Sequence, residues 1–295
     1  GRAWALGMMG RYDEALDEAG KQQEAVARAG APQTVNHGMT AFMLSRIGRY
    51  RDAERRMADA IESAKRFDNA IGLALSHVLS GMVALERNDH AGALDHASRA
   101  QQAAARVPDA FGRRLASTLV ALLDGVAKAR AGRLDAARAV LDQQKKIYDR
   151  RQSNENWWYH ALEGEIALTA GDLASAETAF AAGEAPVKMW FGLNQPIVSI
   201  LCNNLPFRDG LARVRVARGD LAGAIEIYRR LLTVDISQKW IALLEPRYVL
   251  ELARLLDRTG DKAGARQQYE RFLALWKGAD PALPELREAR ARLKG

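Results

Sequence analysis

A short turn signal recurs seven times along the chain: Gly10-Arg11-Tyr12, Gly48-Arg49-Tyr50, Asn88-Asp89-His90, Gly132-Arg133-Leu134, Gly171-Asp172-Leu173, Gly219-Asp220-Leu221 and Gly260-Asp261-Lys262. Gly and Asn tolerate the left-handed backbone conformation with which helices commonly end, so each signal predicts one helix closing and the next opening directly after it. Successive turns lie 38, 40, 44, 39, 48 and 41 residues apart. That spacing leaves room for two helices per copy.

The residues around the turns set the register. Seven positions before them stand Ala3, Ala41, Gly81, Gly125, Gly164, Ala212 and Ala253, and five positions after them stand Ala15, Ala53, Ala93, Ala137, Ala176, Ala224 and Ala265. Alanine supplies 54 of the 295 residues, so composition alone does not place it seven times out of seven at one offset. Small side chains at facing points let the two helices of a copy approach closely, where Leu or Phe would hold them apart. Nine positions after the later turns come Leu141, Phe180, Tyr228 and Tyr269, bulky groups suited to filling the space between one pair and the next; Ala19 and Ala97 stand there in early copies. Strong helix formers dominate, only 8 prolines occur, and few stretches alternate with the period of two that strands need. The expected fold is all-α: one body over residues 1–295 made of seven helix pairs.

Two places break the rhythm. The longest interval carries Pro186, Pro196 and Pro206 with Trp190, Phe191 and Cys202, and this proline spacing forbids one unbroken helix. An irregular insertion is expected at about 183–206. At the end, Asp280 before Pro281 reads as a helix start, and a last amphipathic helix over about 281–293, with Trp276 beside it, is expected to cover the exposed face of the final pair.

Small residue, turn glycine, aromatic or leucine two further on, alanine, then a bulky residue: this order resembles the tetratricopeptide repeat family over essentially the whole chain. The period exceeds that family's usual value of about 34, and His37, His77 and His160 stand where most copies would carry an early aromatic. The resemblance implies a right-handed α-solenoid that binds a protein or peptide segment along the concave face lined by first helices. The stretch from Val249 to Leu293 is similar to the end of helical-repeat regions attached to bacterial eukaryotic-like serine/threonine kinases and related regulators. That likeness implies a kinase or regulatory module before Gly1 and a sensory or docking role for this segment. Placing Ala3 seven residues before its turn leaves the first helix short, in keeping with a fragment.

Charge and reactive groups narrow the function. The net charge of +7 comes from 43 basic against 36 acidic residues, a mixed rather than massed distribution that leans towards anionic partners. The single Cys202 forms no internal disulfide and does not distinguish cytoplasm, the favoured compartment, from periplasm. No apolar run reaches the roughly 18 residues needed to cross a bilayer, so no membrane insertion by this segment is expected. Equivalent histidines in stacked pairs sit about 10 Å apart, too far to share a metal. Asp13 with Glu14, and Glu163 with Glu165, read as solvated helix faces. No kinase-type phosphate loop or catalytic aspartate motif occurs, and no enzyme activity, metal or cofactor is expected here. Trp157-Trp158-Tyr159 opens a helix that Ser153 or Asn154 would cap, with at least one aromatic facing solvent or the groove.

The family's geometry, carried over by offset from each turn, puts Phe42, Val78, Met82, Leu122, Val126, Trp158, Glu165, Arg213, Arg247, Arg254 and Arg258 on or near the groove. Such a groove is apolar in its first half and basic at its end, fitting a segment with a hydrophobic anchor and an acidic stretch. A second reading makes those arginines a nucleic-acid surface, although aromatics are not interleaved with them as stacking platforms. A third leaves them paired with Asp209, Glu251 and Asp257.

Overall fold

Every one of the seven turns ends its helix in the left-handed conformation, with φ from 58° at Asn88 to 87° at Gly260. The backbone N–H just after each turn donates to the carbonyl five residues earlier, from Arg11 to Leu6 through Asp261 to Leu256, at 2.9–3.0 Å. This six-to-one bond satisfies a helix-end carbonyl and reverses the chain.

The molecule, a computed structural model, is described for residues 1–148, 157–183, 208–233 and 242–294. These form fifteen helices and no strand: α1 Arg2–Met8, α2 Tyr12–Arg28, α3 Thr34–Arg46, α4 Tyr50–Arg66, α5 Ala70–Glu86, α6 His90–Ala105, α7 Ala110–Arg130, α8 Leu134–Tyr148, α9 Trp157–Thr169, α10 Leu173–Gly183, α11 Gly210–Ala217, α12 Leu221–Leu232, α13 Pro246–Arg258, α14 Lys262–Leu275 and α15 Pro284–Arg292. The expected insertion at 183–206 lies, beyond Gly183, outside the described residues, as do the proposed caps Ser153 and Asn154. The helix they would cap does begin at Trp157.

Each helix packs on its neighbours in sequence, and α3, α5, α7, α9 and α11 also pack in succession on one another. The alanines five positions after the turns are at most 2% exposed. The small residues before the turns serve a different contact from the one expected at two positions. A Cβ on Gly81 would stand 2.4 Å from Leu123 of α7, and one on Gly125 would stand 2.6 Å from Leu162 of α9. There, the missing side chain admits a leucine from the first helix of the next pair rather than closing the gap within a pair. Phe180 does fill the space between pairs, lying against Gly164 on one side and Gly210 on the other.

The two ends of the chain meet. Tyr12 Oη donates to the Leu244 carbonyl, Leu244 N donates to Gly7 O at 3.3 Å, and Asp280 N donates to Gly48 O at 3.0 Å. Trp276, 1% exposed, donates its indole N–H to Arg46 O at 2.8 Å and meets Tyr50 edge-on at 6.3 Å. Lys277 pairs with Asp13 at 2.6 Å. The last helix packs on α14 of the final pair, but the segment before it departs from the expectation. Trp276 seats on the second helix pair, and Asp280 accepts from Arg51 N at 3.1 Å instead of starting a helix. The last helix begins at Pro284, whose fixed φ suits the first helical position, and buries Leu286 and Ala289.

Candidate functional site

Closure brings the C-terminal ends of first helices around one partly open cavity of about 440 Å³. Residues two positions before successive turns, Arg46, Glu86, Arg130 and Thr169, end α3, α5, α7 and α9, and all four line it. Asp209 and Arg213 at the start of α11, and Glu245, Arg247, Tyr248 and Glu251 at the start of α13, complete the charged wall, with Leu85, Asn88 and His90 between them. Four arginines thus face four carboxylates around a space that opens partly to solvent past the exposed Asn88 and Thr169. Between the largely buried members, Arg46, Glu86 and Glu245, electrostatic interactions are stronger than on an open surface.

One network straddles the closure. Arg46, only 3% exposed, pairs with Glu86 of α5 and Glu245 at the start of α13, and its guanidinium lies 4.1 Å from the Phe42 ring centroid. Arg247 reaches the Glu86 carbonyl and the Tyr50 hydroxyl at 2.6 Å. Burial raises the Glu86 carboxyl above the usual range, partly opposed by Arg46. Burial by itself would lower Arg46, but Glu245 and Glu86 outweigh it and hold the guanidinium charged. The network is incomplete: Arg46 Nε, Glu86 Oε2 and Arg247 Nε are buried without a hydrogen-bond partner. Leaving such atoms unpaired costs about 1–3 kcal/mol each.

The second network centres on Glu165. This residue is 1% exposed, not on a solvated face as its sequence context suggests. Arg130 donates to it at 3.0 and 3.2 Å, and Arg213 clamps it from α11 while also pairing with Asp209 at 3.0 Å. Burial alone would raise the Glu165 carboxyl, yet Arg130 and Arg213 prevail and hold it down to about 2. Asp209 in turn accepts from Tyr228 Oη at 3.1 Å.

The residues expected to line an open groove divide sharply. Phe42, Val78, Met82, Leu122 and Val126 are 0–1% exposed and belong to the continuous core, and Trp158 is also buried, as is Tyr159. The apolar half of the expected groove is core because adjacent first helices pack directly on these side chains. Arg213 and Arg247 do line the cavity, with Glu165 buried behind Arg213. Arg254 lies outside its wall, paired with Glu251 and with Glu288 at 2.5 Å. Arg258 is exposed on the last turn of α13. The pairings expected of Arg213 with Asp209 and Arg254 with Glu251 are present, whereas Asp257 pairs with Lys262 and Arg292. With their charges met internally, Arg213, Arg247 and Arg254 make no massed basic face for a polyanion.

Arg46, Glu86 and Arg130 were not singled out by the groove offsets. Their signal was available: charged residues at one fixed position in three consecutive copies, the last residue of each first helix. His77 and His96 were also unpaired in the sequence reading, which compared His77 with its counterparts in neighbouring copies. In the structure their Nδ1 atoms lie 3.3 Å apart across α5 and α6. Among the described residues, no cluster of three or more His, Cys, Asp or Glu side chains is arranged to hold a metal, and no helix is long and apolar enough to cross a membrane.

No model of a known protein family matches the sequence, and no curated protein matches it.

Proposed function

We propose that the chain is a tetratricopeptide-type α-solenoid of seven helix pairs and a C-terminal helix, serving as a non-catalytic module that binds a protein or peptide segment. On this reading it is the docking or sensory region of a larger bacterial signalling protein. The observation that carries the reading is the delivery of charged side chains, by the ends of successive first helices, to one inner face. An array built of equivalent units presents equivalent positions side by side, the arrangement with which repeat proteins form extended recognition surfaces. The wall's charges are held in fixed geometry by Glu165 and Glu245, which favours specificity over indiscriminate attraction.

Selection from a random peptide library, followed by hydroxyl-radical footprinting of the complex, tests this. The expected result is enrichment of a sequence family whose binding protects His90 and Tyr248 on the inner face. No enrichment over an unrelated helical protein, or protection confined to the second helices, would contradict it.

A further inference from the structure

The cavity wall is electrically balanced, with Arg46, Arg130, Arg213 and Arg247 against Glu86, Asp209, Glu245 and Glu251. Most of these charges are spent on one another, and what matters for a ligand is what remains. Arg130 uses Nε and Nη2 on Glu165, while its Nη1 has no partner among the described residues. Glu251 gives Oε1 to Arg254 and keeps Oε2 uncommitted among the described residues. Arg130 on α7 and Glu251 on α13 both line this partly open cavity, and each carries one uncommitted charged atom. Neutral hydrogen-bonding groups, the Asn88 amide, the His90 imidazole, the Thr169 hydroxyl and the Tyr248 phenol, stand between them.

We infer that this cavity binds a small zwitterion, a free amino acid or a peptide of two or three residues, with its carboxylate on Arg130 and its ammonium group on Glu251. Arg46 Nε, Arg247 Nε and Glu86 Oε2 also lack partners but are sealed within the wall, so a simple anion would meet one accessible unpaired guanidinium N–H group beside four carboxylates, and a simple cation the reverse. A neutral polyol could hydrogen-bond to both atoms but brings no charge to either. A ligand bearing both charges satisfies both ends at once, through the charge-assisted hydrogen bonds that are strongest in such surroundings. The volume of about 440 Å³ falls in the range of small-ligand sites, roughly 300–1,000 Å³. Burial and Asp209 raise the Glu251 carboxyl, a strain that a neighbouring ammonium group relieves. The inference goes beyond the docking function, and its test uses no protein partner, so either can fail without the other.

The full chain is titrated by calorimetry and thermal melting with the twenty L-amino acids, dialanine and trialanine. N-acetylated and C-amidated forms of each hit, inorganic phosphate and putrescine are run alongside. At least one free zwitterion should bind and raise the melting midpoint, and capping either of its ends should weaken binding tenfold or more. A single amino acid among the hits identifies the free monomer as the ligand source; hits confined to dialanine or trialanine identify short peptides. Thr169→Trp, a plug introduced at an exposed helix end without disturbing an ion pair, should abolish binding while leaving the helical content intact. Glu251→Gln should remove the penalty for N-acetylation. Absence of binding at millimolar concentration by every member, equal binding of capped and uncapped forms, or unchanged binding by a folded Thr169→Trp variant would each overturn the inference.

Discussion

Gly48 and Gly132 occupy equivalent turns with nearly the same backbone, φ 72° and 74°, yet only Gly48 touches the other end of the chain. A Cβ at Gly48 would lie 2.8 Å from Ala279 Cβ and 3.0 Å from two ring carbons of Trp276, whereas one at Gly132 meets nothing within 4 Å. Alanine at either site pays the same left-handed penalty, about 1–2 kcal/mol. At Gly48 it must also displace a packed tryptophan, and overpacking of that kind costs about 1–3 kcal/mol more. Gly132→Ala should therefore destabilise by about 1–2 kcal/mol and Gly48→Ala by about 2–5 kcal/mol. Urea unfolding followed by circular dichroism gives both values, and Gly48→Ala with Ala279→Gly should recover part of the difference. Equal losses for the two single variants would refute the assignment of Gly48 to an end-to-end contact.

Two further outcomes follow from buried charges. Glu165→Gln should cost about 3–5 kcal/mol at neutral pH, because it leaves Arg130 and Arg213 without their shared counter-charge. The wild-type contribution is fully present above the unfolded carboxyl value of about 4.5 and is lost as pH falls through about 2, so the variant's urea midpoint should show less acid dependence in that window. Burial lowers both His77 and His96, and burial together with repulsion from His96 takes His77 down to about 4. Since an unfolded imidazole titrates near 6.5, the unfolded chain gains protons that the folded chain refuses, and stability should decline as pH falls from about 6.5 towards 4. His96→Gln should flatten that decline in a melting series; an unaltered slope would show that another group controls it.

The helical elements were legible because their causes are local. A glycine that must adopt positive φ, or an alanine that must fit between helices, writes its requirement at its own position, and seven copies repeat it. What surrounds Glu165 could not be read in the same way. Its partners Arg130 and Arg213 stand 35 and 48 residues away, and its neighbours in sequence suggest a solvated face. Phe42, Met82 and Val126 share an offset with Glu165, Arg213 and Arg254, but the offset fixes only a direction from the helix. Whether that direction meets solvent depends on how closely the next helix follows. Closure is the least local feature, since Tyr12 meets Leu244 across 232 residues. Its faint trace is that only the first two copies carry a tyrosine two positions after the turn glycine, and both, Tyr12 and Tyr50, reach the start of the last helix pair.

The charged cavity exists because the first two helix pairs and the last one meet, and the separation of those ends is directly measurable. Nitroxide labels at Asp13→Cys and Lys277→Cys, in a Cys202→Ser background, report it by pulsed electron paramagnetic resonance. These exposed positions form an ion pair at 2.6 Å, so the closed molecule predicts a single short distance near the method's lower limit. An open stack of seven pairs, about 10 Å per step, would instead place the labels several tens of ångströms apart, and a distribution centred there would contradict the account.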